Sequence, residues 1–516
     1  HGNGNAVDGT GLTDGVEDTN FGNYLAAQHA VAAGDFRSAG TFMEAIRIEP
    51  CKKQRGACGA DIVSGLKNLV LFLDGGKISD ISAPVSSLSA QRIIRAAANA
   101  KIGRWKDVFA EFKNDRSQLW SPMRIWSAAG AGRTRQAIRF IDSMPAGKAW
   151  KDFAKGAVYA AAKKNAKAAR LFQSVPIGFL NIGDYNLLLA FYKRHGFKDY
   201  AAALRQKWTS SVGGMFMAAI ADESDWRDYD SHQKMLAAFL MQTVAHNFDA
   251  VAPDAVLLAL RAAAYLGAAP ANTAYYTGGY FFAAGSENYK KYWDGLETDP
   301  IYGPFVLLKT GGEGGLKRIL AANPLFMPAI ISLWKSDMQA GRESSALRML
   351  DRALEQSGVP EAGRAYLLKM RAHTLYIFKE YEAAEKDAAA ALNLAPMDAG
   401  IMDVLAKIWA AGGKNLDEAY RYSISLIRAF PSHIGYWDAL AMSVRAKEGD
   451  LAAREILERV GKVAEENSEL FMHLGDLRAA AGEKIGASAA YKKALALSGD
   501  GLVVKSEIEK KLRRLK

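Results

Sequence analysis

Cysteine is almost missing from this chain: Cys51 and Cys58 are the only two in 516 residues. They cannot build a disulfide framework, and a zinc site would need two further ligands that are not near them in sequence. Proline is scarce too, at 14 residues, while alanine is abundant, which favours helices over sandwiches. No run of about 20 apolar residues occurs. The best candidate, Val256 to Ala269, is short and broken by Arg261, so the chain is not expected to span a membrane. Charge of one sign is not concentrated either. The net charge is +11, but the basic residues are scattered and become dense only from Lys505 to Lys516. Nucleic-acid binding calls for a basic stripe interleaved with aromatic rings, and the one aromatic stretch carries little beyond Lys290 and Lys291.

What is present is a helical composition with an internal repeat. Half of the residues are hydrophobic and 23% are charged, which excludes disorder throughout. Leu368, Met402, Trp437 and Phe471 follow one another at spacings of 34, 35 and 34. Three positions on stand Arg371, Leu405, Leu440 and Leu474, then the small residues Ala372, Ala406, Ala441 and Gly475. Later in each unit come Ala384, Ala419, Ala453 and Ala487, then Ala388, Ser423, Leu457 and Tyr491, and Pro396 and Pro431 close two units. Two antiparallel helices nest closely only where one side chain is small, with bulky neighbours filling the groove beside it. Such a hairpin cannot bury its apolar face alone, so hairpins stack.

This pattern resembles the tetratricopeptide repeat. The resemblance implies an all-α fold, a right-handed α-solenoid of helix hairpins, of about two dozen helices at ~17 residues each. Arg371 departs from the pattern by replacing an apolar residue. A further unit runs from Phe21 to Pro50, and Ala137, Ala168 and Ala201 mark degraded hairpins between Gln91 and Trp208. The expected organisation is a leader over 1–20, divergent repeats over 21–211, an irregular helical middle over 212–326, and a regular array over 327–516 ending in a basic capping helix. Within the middle, amphipathic helices are expected from about Ser231 to His246 and from about Pro253 to Leu266. The Gly/Asn/Asp/Thr-rich stretch after His1 reads as a flexible leader, left by signal-peptide cleavage or by cloning.

Several local patterns point to chemistry and are outweighed. Ser64 to Lys67, Ser286 to Asn288 and Lys309 to Gly311 match, in order, three short motifs of serine penicillin-recognising enzymes. That family needs an antiparallel sheet, and the strand patterns for it are missing, so the match is read as chance. Gly311 to Gly315 fails the phosphate-loop spacing. The histidines form no metal pair, and the acidic knot from Asp222 to Asp230 lacks the calcium-loop ladder. No metal, no cofactor and no enzymatic activity is expected.

Repeats of this kind present a concave groove to peptides or subunits, so the resemblance implies a non-enzymatic scaffold. On the first helices, which start near Ala365, Ala399, Ile434 and Ser468, the residues left over for the groove are Lys369, Arg371, His373, Asp403, Lys407, Asp438, Arg445, His473 and Arg478. This mixed set, more positive than negative, suits an extended acidic or carboxylate-ended peptide. A second candidate surface is the stretch with ten rings between Tyr275 and Phe305, including Tyr276, Tyr280, Tyr289, Tyr292 and Trp293. Those rings could stack on a glycan or peptidoglycan, or plug a joint between solenoid halves. The cysteine pair and the leader point to a bacterial periplasm or envelope, with a protein partner such as a peptide segment or the subunits of an assembly complex. Complexes for secretion, polysaccharide export, pili or flagellar motors all fit. Contact with a membrane would run through such partners. A cytosolic regulator remains the alternative if both thiols are free.

The two cysteines, with six residues between them, are expected to form a disulfide worth about 2–3 kcal/mol in the chain-entropy model. Peptide mapping of protein never exposed to reductant should recover residues 51 and 58 as one cross-linked species. Two alkylatable thiols in such protein would show the pair to be open.

Overall fold

The computed structural model describes residues 19–47, 59–75, 89–117, 119–210, 229–247, 253–357, 359–462, 467–497 and 505–515. Cys51, Cys58, the leader before Thr19 and residues 222–228 of the acidic knot lie outside them. The described residues form twenty-eight α-helices and no strand. Two compact units are present: residues 1–205 with 220–309, and residues 206–219 with 310–516.

The first unit opens with α1 (Thr19–Ala33) and α2 (Phe36–Ala45), followed by α3 (Gly59–Leu73). Pairs α4 (Ser89–Lys101) with α5 (Trp105–Phe112), α6 (Ser121–Gly130) with α7 (Thr134–Asp142), and α8 (Lys148–Ala161) with α9 (Asn165–Gln173) come next. They are followed by α10 (Ile182–Arg194) and by α11 (Lys198–Ser210), which belongs to this unit as far as Arg205. Turns inside these pairs are tight because one residue takes the left-handed conformation, as Gly132 and Gly196 do at φ 77°. The expected small-residue contact is real. A Cβ on Gly156 would sit 2.5 Å from the ring of Phe172, sixteen residues later on the partner helix.

The chain then turns back over its own hairpins. Helices α12 (His232–Asn247) and α13 (Pro253–Leu266) pack along the earlier ones: α12 on α6, α8 and α10, and α13 on α4, α3 and α1. These are the spans expected to be amphipathic, yet Leu236, Ala237, Phe239, Leu240 and Met241 are all buried, as are Val256 to Leu260. A helix apolar around most of its circumference is a core helix. Polar groups on the returning segment donate to carbonyls at the C-terminal ends of the earlier helices. Gln233 Nε2 donates to the carbonyl of Ala100 at 3.0 Å, and Arg261 Nε to that of Phe72 at 2.9 Å. Ser286 Oγ and Asn288 Nδ2 both donate to the carbonyl of Ala33, at 2.7 and 2.6 Å. Short helices α14 (Pro270–Ala283), α15 (Tyr289–Trp293) and α16 (Gly303–Thr310) complete the unit.

The second unit is regular. After α17 (Gly312–Ala322) it consists of hairpins α18 (Met327–Gln339) with α19 (Glu343–Glu355), α20 (Glu361–Ile377) with α21 (Tyr381–Leu394), and α22 (Ala399–Gly412) with α23 (Leu416–Ala429). Hairpins α24 (Ile434–Glu448) with α25 (Asp450–Gly461), and α26 (Ser468–Ala480) with α27 (Lys484–Leu497), follow, then α28 (Lys505–Arg514). Three first helices start where the period places them. The fourth, α20, starts four residues earlier, behind Pro360 held in extended backbone at φ −60°, ψ 152°. Side chains cap two of the others: Asp398 accepts from the amide of Ile401 at 2.9 Å and Asn467 from that of Leu470 at 2.8 Å. Ala372, Ala406, Ala441 and Gly475 are buried, as are Ala388, Leu457 and Tyr491 sixteen residues beyond the small residue of their hairpins. Arg371, the misfit in the repeat, bonds Asp351 of α19 at 2.6 Å and Asp387 of α21 at 2.6 Å, tying two second helices together.

A Cβ on Gly475 would lie 2.5 Å from the Tyr491 ring. Gly475→Leu and Ala441→Leu should therefore each cost about 1–3 kcal/mol or more by overpacking, read as a lower midpoint in urea. Gly314, in the exposed first turns of α17, has nothing within 4 Å of such a Cβ. There Gly→Ala should instead stabilise by about 0.5–1 kcal/mol. Equal midpoints in all three variants would overturn this packing register.

Candidate functional site on the inner face of the second unit

Equivalent positions of successive first helices stand side by side. One such column reads His373, Lys407, Met442 and Asp476, and another reads Lys369, Asp403, Asp438 and Met472. Because the array curls, residues from four first helices converge on Lys407, whose side chain is only 5% exposed. Its Nζ lies 3.0 Å from Glu469, 3.3 Å from Asp403 and 3.8 Å from Asp438. Asp438 in turn bonds Nδ1 of His473 at 2.8 Å, and Glu469 lies 3.5 Å from Nε2 of His373. Trp334 Nε1 donates to Thr374 Oγ1 at 2.8 Å and its ring backs His373.

Burial and charge oppose each other in this cluster. Burial lowers the Lys407 ammonium, but Asp403, Glu469 and Asp438 outweigh it and hold the group well above its ordinary value. Burial raises the Glu469 carboxyl, but Lys407 and then His373 pull it well below the usual range. Burial lowers His473, and Asp438 more than reverses this, so its imidazole is raised. For Asp403 burial wins over Lys407, and its carboxyl is raised. Next to the cluster a cavity of about 250 Å³ opens, lined by Tyr376, Lys379, Arg445, Glu469, Asp476 and Lys511 among others. Lys511 of α28 bonds Asp476 at 2.6 Å, so the capping helix forms one wall.

The nine residues assigned to the groove thus fall into three settings. His373, Asp403, Lys407, Asp438 and His473 come together on the inner face, but buried and bonded to one another rather than open to a partner. Lys369 pairs with Asp398 at 3.4 Å and lies over the Tyr366 ring, while Arg445 lines the cavity with its Nε on Asp450 at 2.8 Å. Arg371 and Arg478 do not face the groove: the first bonds Asp351 and Asp387, the second Glu458 and the carbonyl of Gly486. Helix phase explains the difference, because both arginines point towards second helices. Glu469, Tyr376, Asp476 and Lys511 were missed. Glu469 stands two residues before the Phe471 anchor, on the same face as Asp438 and Lys407, and that phase was the available signal.

The aromatic stretch is built as a joint inside the first unit. Tyr280, Phe281, Trp293 and Tyr302 are buried, and Tyr275, Tyr276, Tyr289 and Tyr292 are partly so. Tyr275 stacks on Tyr302 at 4.8 Å between centroids, Phe282 meets Tyr289 and Trp293, and Trp293 Nε1 donates to the carbonyl of Tyr275 at 3.1 Å. Burial pushes the Tyr280 hydroxyl up to about 12. Among the described residues no helix is long and apolar enough to cross a membrane, and no group of acidic or histidine side chains could hold a metal ion.

What recurs through the second unit is one nesting contact, a small residue met by the residue about sixteen places on, at a period near 34. The fold is that of a tetratricopeptide-repeat solenoid. No family model and no curated protein matches the chain. Among solved structures, a tetratricopeptide repeat protein from Parabacteroides merdae is similar at 17% identity, covering 48% of this chain and 98% of its own, with a TM-score of 0.38. Yeast Tom70 is similar at 12% identity over 96% of this chain and 95% of its own, with a TM-score of 0.25. The Cut9–Hcn1 hetero-tetramer of the APC/C gives 12% over 96% of both chains, with a TM-score of 0.33.

Removing the central cation of this array takes from Asp403 its cation and leaves Asp438 and Glu469 with only His473 and His373. Lys407→Met should cost about 3–5 kcal/mol. The raised His473 contributes stability that is full below the ordinary imidazole value and lost as pH rises through its raised one. The lowered Glu469 contributes stability present above the ordinary carboxylate range and lost as pH falls through its lowered value. The wild-type array should therefore melt highest between those two titrations. Lys407→Met, with only the two histidines left against the burial that raises Glu469, should gain melting temperature on acidification from neutrality. Calorimetric profiles of the two proteins with the same pH dependence would contradict the assignment.

Proposed function

We propose that this chain is a non-enzymatic scaffold of a bacterial periplasm or envelope, holding an acidic or carboxylate-ended segment of a partner protein at the mouth of the inner cavity of its second unit. The observation that carries the reading is the charge left at that mouth once the cluster has neutralised itself. Lys407 is occupied by three carboxylates and Lys511 by Asp476. Lys379 has no ion pair among the described residues, and Arg445 uses its Nε on Asp450 while lining the same cavity. Besides these two cations the recess holds one carboxylate outside those pairs, Glu507, so a guanidinium and an ammonium beside Tyr376 and Tyr381 outnumber it and suit a carboxylate flanked by an apolar side chain. The compartment is inferred from the two closely spaced cysteines.

The test is charge reversal at the rim, not in the cluster. Lys379→Glu with Arg445→Glu should keep the wild-type melting temperature and lose, by about tenfold or more, the binding of proteins recovered by the wild-type chain from native membranes. Full recovery of the same proteins by the double variant, at modest salt, would place the binding surface elsewhere.

A further inference from the structure

Successive hairpins of the array close over one another through charged side chains on their second helices. On α25 the exposed stripe reads Asp450, Leu451, Arg454, Glu455 and Glu458. The next hairpin covers it by bonding Arg454 to Glu483 at 2.7 Å and Glu458 to Arg478 at 3.1 Å. The same junction recurs earlier, where Lys414 reaches Glu382 at 2.9 Å and Lys447 reaches Asp417 at 2.7 Å. On α27, 34 residues after the α25 stripe, the same five positions read Lys484, Ile485, Ser488, Ala489 and Lys492. The acidic members have become lysines or alanine. Among the described residues none of these lysines has an ion pair.

Helix α28 stands against α27 with Ile508 fully buried, and Leu512 and Leu515, one and two turns further along the same face, are partly buried beside it. Between the two helices lies a trough of about 710 Å³, with small Ser488 and Ala489 on one wall and Leu512 and Leu515 on the other. Ile485, 89% exposed, stands at its edge. Lys484, Lys492 and Arg513 line it with a single carboxylate, Glu509. Residues 484, 488 and 492 form one row along α27, about 12 Å long at the helical rise, which matches a helix of two to three turns. The charge of this row is the reverse of that on the α25 stripe.

We infer that this trough docks an amphipathic helix of a partner protein whose apolar stripe lies on Ala489, Leu512 and Leu515 and whose flanking carboxylates meet Lys484, Lys492 and Arg513. The site is separate from the inner cavity. A second copy of the chain offering its own trough would set lysine against lysine, so it is a poor occupant. An acidic helix instead repeats with opposite sign the junction that Arg478 makes with Glu458.

The test uses the full chain and two fluorescein-labelled synthetic helices of about 18 residues, each with leucine on one face, one flanked by glutamate and the other by lysine. Anisotropy titration should show the glutamate helix binding about tenfold or more tighter, with the preference shrinking as salt rises. Lys484→Glu combined with Lys492→Glu should abolish that preference with unchanged circular dichroism, and Ala489→Trp should weaken binding by filling the trough. Arg445→Glu should leave binding intact; if it removes binding, the helix belongs to the inner cavity and this inference fails. Equal affinity for both helices overturns it as well. So does sedimentation showing a dimer that the lysine reversal dissolves, because the occupant is then a second copy.

Discussion

The constraint on which the structure depends is the closeness of two helices at one point in each hairpin. Gly475 faces Tyr491 and Gly156 faces Phe172 with no room for a single methyl group between backbone and ring. Each pair is sixteen residues apart, one belonging to a regular array and the other to repeats that have lost most of their pattern. Everything else may drift while this contact holds, because it fixes the crossing of the pair and so the face each helix turns inward. Arg371 shows the tolerance: an arginine in an apolar place is kept by Asp351 and Asp387, and the hairpin is unchanged.

Both units use their inward faces for themselves, by different chemistry. In the first, the chain supplies helices: α12 and α13 run over the earlier hairpins and bury apolar side chains there. In the second, it supplies charge: Lys407 gathers carboxylates from three first helices. An apolar filling favours burial in general, whereas a salt-bridged one specifies geometry, because a displaced carboxylate is left unpaired in a dry interior.

The hairpin period, the starts of three first helices and the small-residue contacts were legible, because each is a local demand of helix nesting written at fixed spacing. The identity of the inward residues was half legible. His373, Lys407 and Asp438 were recognised as facing away from the packing positions, but whether they met solvent or one another depended on curvature, which no single repeat encodes. Glu469 illustrates this: its partners Lys407 and His373 lie 62 and 96 positions earlier, and only the turn of the superhelix brings them together. For α12 and α13 the pattern suggested a polar face. The solvent it implied is replaced by other helices, a fact held by the tertiary structure and not by periodicity.

The donors that close the ends of α1, α3 and α4 bear on how the chain is made. The carbonyl of Ala33 waits for Ser286 and Asn288, more than 250 residues downstream, and that of Phe72 for Arg261, 189 residues on. On a ribosome adding about 5–20 residues per second, the opening hairpins stand incomplete for many seconds while the middle of the chain is still being translated. The second unit has no such delay, since its capping and nesting partners lie within a hairpin or two. Helices α1, α3 and α4, made well before the middle of the chain, are therefore among the last to reach their final surroundings and depend most on whatever shelters a nascent chain.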